Sequence, residues 1–136
     1  MTMQLSTAVR NAMLDAIETA IGASAILQIR SGAAPASASA GASGTVLSTI
    51  NLPADWMAAA AGGVKQMQGS WADANGADAS GTAGHFRLLA ADGATCHMQG
   101  SITLAGGGGD MTVSNTNFQA GQDFSITGFT LGAQNA

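Results

Sequence analysis

The sequence predicts a mainly β fold, with one N-terminal amphipathic helix followed by a jelly-roll-like β-sandwich of about seven or eight short strands. Three observations carry this. A four-residue apolar recurrence is confined to residues 5–21. From Thr45 onward the apolar period changes to two. Short runs then alternate with Gly-rich turn signals at regular intervals, as strands of a paired-sheet fold do.

In residues 5–21, Leu5, Val9, Met13, Ile17 and Ile21 recur every four positions, flanked by Ala12, Ala16 and Ala20. That spacing predicts an apolar stripe along a helix of about four to five turns. Ser6 or Thr7 can cap its start, and Gly22 is a natural stop. Arg10, Asn11, Asp15 and Glu18 are expected on the wetter side. The stripe either packs on the chain's own sheet or docks on another subunit, and both readings stay open.

Residues 25–30, AILQIR, read as a short strand. The next fourteen, Ser31 to Gly44, are all Ser, Gly, Ala or Pro. A segment without large apolar anchors reads as a flexible loop, or as an arm laid on a neighbour where small residues permit close approach. In TVLSTINL, Val46, Ile50 and Leu52 are expected to face inward, with Thr45, Thr49 and Asn51 outward. Pro53 ends that strand. The following MAAAAGG reads as either strand or helical turn. Residues 64–72 alternate, with Val64, Gln66 and Gln68 opposite Lys65, Met67 and Trp71. A long polar turn, DANGADASGTAG, precedes strands at about 85–90, 95–104, 110–116 and 123–131. Asp92-Gly93 suits a tight hairpin. The tetrad Gly106–Gly109 reads as a flexible hairpin connection.

At 136 residues the chain fits one domain, 1–136, comprising the helix (1–22), the small-residue arm or loop (31–44) and the sandwich (45–136). Leu, Ile, Val and Phe together make up only about 18% of the chain, so its core is thin for its size. With 9% charged residues and a net charge of -4, self-repulsion is weak, and part of the stability is expected from fellow subunits.

Composition also bears on function. Arg10, Arg30, Lys65 and Arg87 lie far apart in sequence, which argues against direct nucleic-acid binding. Cys96 is a single cysteine and has no partner for an intrachain disulfide. No run of ~20 apolar residues predicts a membrane span, and the N-terminus lacks a signal-peptide pattern. The protein is expected to be made in the cytoplasm and to stay or join a particle there.

No residue set predicts chemistry, a cofactor or a metal. His85, His97 and Cys96 fall short of a zinc site, since Cys96 and His97 should point to opposite faces of a strand. No oxyanion-hole motif accompanies a Cys-His pair. Asp73, Asp78, Asp92, Asp110 and Asp123 read as turn and strand-end residues. The 73–78 segment lacks the bidentate Glu of a calcium loop. The Gly tetrad is not followed by the Lys-Ser/Thr of a phosphate loop. Core filling and helix-stripe roles explain Met13, Met67, Met98 and Met111 at least as well as an adaptable binding surface does.

The segments LSTAVRNAMLDAIETAIG, LPADWM, SGTAGHFRLLAADGATCHMQGSI, GGGGDMTVSN and AGQDFSITGFTL resemble a family of small proteins from tailed bacteriophages and prophages. The resemblance covers most of the chain and is loosest at 33–44. It implies a virion component. Among small β-sandwich virion proteins, a good match in size and apparent fold is a capsid cement (decoration) protein, which binds the outer surface of the shell and stabilises contacts between major capsid protein subunits. The implied partners are the major capsid protein and further copies of the chain, as a dimer or a trimer. The contact elements expected are the stripe Leu5, Val9, Met13, Ile17 and Ile21 and the 31–44 arm. A tail or head-tail connector protein is the alternative within that class. A receptor- or glycan-binding module, displaying Trp56 or Trp71, is the alternative from another class. The shared motifs hold no catalytic residue.

Overall fold

The structure is a computed structural model that describes residues 3–133. Its elements are α1 (Thr7–Ile21), β1 (Ile26–Ser31), β2 (Val46–Asn51), β3 (Val64–Gln66), β4 (Gly81–Leu89), β5 (Cys96–Leu104), β6 (Met111–Val113), β7 (Asn117–Phe118) and β8 (Ile126–Gly132). One N-terminal helix followed by eight strands is the mainly β fold expected. Among the described residues no helix is long and apolar enough to cross a membrane.

The strands follow one hydrogen-bonded path, β2-β1-β4-β5-β6-β8-β3, with β7 beside the start of β4. A flat sheet would place β4 and β8, three positions apart, about 14 Å from each other. Yet the rings of Phe86 on β4 and Phe129 on β8 meet edge to face with centroids 5.5 Å apart. The sheet therefore curls over itself, and its two halves close on a shared core as the layers of a sandwich do. Trp71 continues the stack, 5.6 Å from Phe129 and 6.0 Å from Trp56. One cluster of buried side chains runs from Ile21 at the helix end to Phe129.

The local detail departs from simple alternation where the ladder is irregular. In the β1/β2 pairing Ile29 faces Ser48 and Arg30 faces Val46, which leaves Leu47 as a bulged extra residue. The bulge turns Leu47 into the core, fully buried, whereas Val46, expected inside, is only half-buried. Residues 57–61 form no helix and contribute only isolated bridges, Met57 with Met67 and Ala61 with Val64.

The Gly106–Gly109 connection is not a hairpin. β5 and β6 run parallel, with Ile102 opposite Met111 and Leu104 opposite Val113. Parallel neighbours usually need a crossover of a dozen residues or more. Here six residues suffice, because the chain doubles back tightly along β5. Gly106 and Gly108 take φ of 85° and 82°, and a Cβ at Gly109 would lie 2.8 Å from the Thr103 backbone nitrogen. Glycine permits both the turn and the close return. The Asp92-Gly93 hairpin between β4 and β5 forms as expected. Its Asp92 carboxylate accepts from the Ala94 and Thr95 backbone N–H groups and from the Thr95 hydroxyl.

Candidate functional site

The surface that stands out begins with the geometry of α1. Ser6 caps it by accepting from the Val9 N–H at 3.2 Å, and Gly22 ends it at φ 94°. A spacing of four residues advances ~400° around a helix, so a stripe repeated every four positions drifts about 40° per step. Leu5 precedes α1, and from Val9 to Ile21 the drift reaches ~120°, a third of the way round. The five stripe residues therefore do not share a face. Ile21 is buried and Ile17 packs against the core, whereas Val9 and Met13 are 46% and 50% exposed and Leu5 is half-buried. Leu14, outside the stripe, is the helix's other buried residue.

The expected wet side faces the body instead. The Asn11 side-chain oxygen accepts from the Gly63 N–H at 2.8 Å. The Asp15 carboxylate accepts from the Ala60 N–H at 2.9 Å and from the Lys65 ammonium at 2.7 Å. Arg10 donates to the Ala133 carbonyl, and Lys65, only 2% exposed, donates also to the Ala58 carbonyl. Glu18 sits 3.8 Å from the same ammonium. The two carboxylates are driven apart. Hydrogen bonds from Lys65 and the Ala60 N–H hold Asp15 below its ordinary pKa. Burial pushes Glu18 up, with the more distant Lys65 only partly offsetting it. Polar pegs thus dock the helix onto the loop around β3.

Besides Thr7 and Thr19, what remains outward is apolar. Val9, Ala12, Met13, Ala16 and Ala20 are all exposed and fall within about 100° of one another around the helix. Just before the helix, Met3 is 82% exposed. The helix thus turns Arg10, Asn11, Asp15 and Glu18 inward beside the buried Leu14 and Ile21, and leaves a face of small apolar residues outward.

The 31–44 segment is an ordered strap over the outer face of β1, β4 and β5. Arg87 donates to the carbonyls of Ala38 and Ala40, both at 3.0 Å, and Gln99 donates to that of Pro35 at 2.7 Å. Arg30 holds the far end through the Ser43 carbonyl at 2.8 Å. A Cβ at Gly84 would collide with the Gly32 carbonyl, so the small residues serve close approach within the chain itself. Burial, and then the neighbouring Arg87, lower the pKa of Arg30. Two arginines that the sequence keeps far apart thus converge, and they spend their donors on the chain's own carbonyls and side-chain amides.

The other candidates lie as follows. His85 is wholly buried on β4, its Nδ1 2.8 Å from the Gly32 carbonyl oxygen. His97 is exposed, and the Cys96 thiol donates to the Met98 carbonyl at 3.3 Å. His85 pairs with Ser101 and Cys96 with Leu89, at opposite ends of the β4/β5 ladder, so the structure does not gather them. Among the described residues no three metal-ligating side chains come together. Asp73 accepts from the Ser48 hydroxyl and the Asn75 N–H, an Asx turn. Trp56 and Trp71 are 0% and 4% exposed, so neither ring offers a face to a sugar. Met111 is buried and Met67 and Met98 pack on the core, whereas Met13, on the helix stripe, is half exposed.

Compared with known proteins, the chain matches no family model, no curated protein and no solved structure.

Proposed function

We propose that the protein is a bacteriophage structural protein, a capsid cement (decoration) protein that binds the outer surface of the shell and braces contacts between major capsid protein subunits. The observation that carries this reading is the outward apolar face of α1: Val9, Ala12, Met13, Ala16 and Ala20, on a helix anchored from behind by its polar side chains. A helix held that way is pre-positioned to lay Val9 and Met13 into a groove of another protein without reorganising. Val9 and Met13 are each about half exposed, so covering them contributes about 1 kcal/mol each, modest for one site and ample when the site recurs over a shell. The protein acts on the shell as an oligomer, a dimer in preference to a trimer.

The test is co-sedimentation with shells assembled from the major capsid protein of the same phage. The wild-type chain is expected to pellet with shells at lattice stoichiometry, and the Val9→Asp/Met13→Asp double variant, folded by circular dichroism, to remain in the supernatant. Labelling of a single vertex by electron microscopy would instead assign a head-tail connector. Failure of the wild type to pellet would overturn the reading.

A further inference from the structure

The curled sheet has a slot in it. β6 begins only at Met111, opposite Ile102 of β5 and Phe129 of β8. Beyond that point Met98–Ser101 of β5 and Thr130–Gly132 of β8 keep no strand on their facing edges, because β4 and β3 pair with the opposite edges. Between them lies an open cavity of about 650 Å³. Its wall takes Met98, Phe129 and Leu131 from the core side, and Gln99, Thr112 and Thr130 from the outer side. A wall drawn from both faces means that the opening lies in the plane of the sheet, in line with β6. Two strand edges over an apolar floor of Phe86 and Phe129 form a receptor for an extended segment, recognised by main-chain hydrogen bonds and one or two apolar side chains.

We infer that this slot receives the segment around Met3 of a second copy of the chain, and that reciprocal exchange of these segments makes the dimer. Four observations select this occupant. The segment alternates, Met1-Thr2-Met3-Gln4-Leu5-Ser6, as a half-buried strand does. It carries no charged side chain, and no basic residue lines the slot, whose single acid, Asp110, already binds the Ser101 N–H and hydroxyl at 2.9 Å. The start of the helix is tied to the end of β8 by the Arg10 bond to the Ala133 carbonyl at 3.2 Å, and Thr130 and Leu131 of the same strand line the slot. Met3 does not occupy the slot of its own chain: it is 82% exposed. Two such insertions about a twofold axis are self-complementary and closed, as homodimer contacts are. The inference deepens the oligomer of the proposed function and does not depend on a shell.

The experiment uses two full-length variants in a Cys96→Ser background, Met3→Cys and Met98→Cys, mixed and mildly oxidised at micromolar concentration. A mixed disulfide dimer, detected by mass spectrometry, is expected, along with a wild-type dimer by sedimentation velocity. Loss of the buried Met3 side chain in Met3→Glu is expected to weaken the dimer about tenfold or more, and Leu131→Glu to do the same. A monomeric wild type, a dimer unaffected by Met3→Glu, or a Met3→Cys/Met98→Cys double variant that closes only within one chain would overturn the inference. These readouts need no capsid, so they fail separately from co-sedimentation.

Discussion

Asp92 accepts three hydrogen bonds within one turn, and their summed pull, led by the Thr95 and Ala94 N–H groups, lowers its pKa to about 2. A carboxyl whose folded pKa lies below its unfolded value binds fewer protons when folded, so its stabilising effect is present above the unfolded pKa. The effect is lost as pH falls from the ordinary 3.8 through about 2. Asp92→Asn is therefore expected to unfold at lower urea concentration than wild type at neutral pH, the gap narrowing across that acid window; urea midpoints at several pH values check it. Glu18 has the opposite sign: its raised pKa means that ionisation opposes the fold, and stability falls as pH rises through its range. Neighbouring helix residues differ as sharply. Leu14 is 3% exposed and Met13 50% exposed. Leu14→Ala is expected to cost about 2–4 kcal/mol in chemical denaturation, and Met13→Ala under about 0.5 kcal/mol.

Among the elements, the strap shows how a segment with no apolar anchors becomes ordered. Its backbone carbonyls are captured from below by Arg87, Gln99 and Arg30. A loop of Gly, Ala and Ser has little side-chain entropy to lose, and hydrogen bonds to charged donors are worth about 1.5–3 kcal/mol each. Arg87→Met, which keeps the stem and removes the donors, is expected to free the strap. Proteinase K should then cut within residues 31–44 several-fold faster than in wild type, with the sheet intact by circular dichroism. Unchanged cleavage would mean that Arg30 and Gln99 hold the strap without it. The helix was legible in the sequence to within two residues at its start, with Ser6 and Gly22 as its caps. Its orientation was not. A four-residue recurrence looks like a face when written on a line but winds round a helix of 3.6 residues per turn, and polar side chains can face inward wherever a backbone N–H or a buried lysine meets them.

At the scale of the molecule, the helix belongs to the core as well as to the surface. Ile21 and Leu14 are buried, and the Trp56 indole N–H donates to the Gly22 carbonyl at 2.9 Å. Removal of residues 1–22 would strip one wall from a core that is already thin. The truncated chain is expected to lose near-ultraviolet dichroism and to bind an apolar dye, which is why point changes at Val9 and Met13 are the cleaner probe of docking. The apolar patch and the slot lie at different places on the surface, one suited to a foreign groove and one to a second copy. Few charges line either of them, so both contacts are expected to vary little with salt.

The sequence by itself determined the class of fold, the positions of most strands, the helix caps and the Asp92-Gly93 hairpin. All of these follow from period, turn chemistry and local propensity, which act over a few residues. Only the tertiary structure decided which side of the helix is wet, that Leu47 and not Val46 enters the core, that four glycines serve a parallel return, and that the 31–44 segment is a strap. Each of these depends on what a distant segment offers: an N–H for Asp15, a bulge opposite Arg30, the flank of Thr103, the guanidinium of Arg87. Such partners are set by the way the sheet curls, and no local pattern encodes that curl.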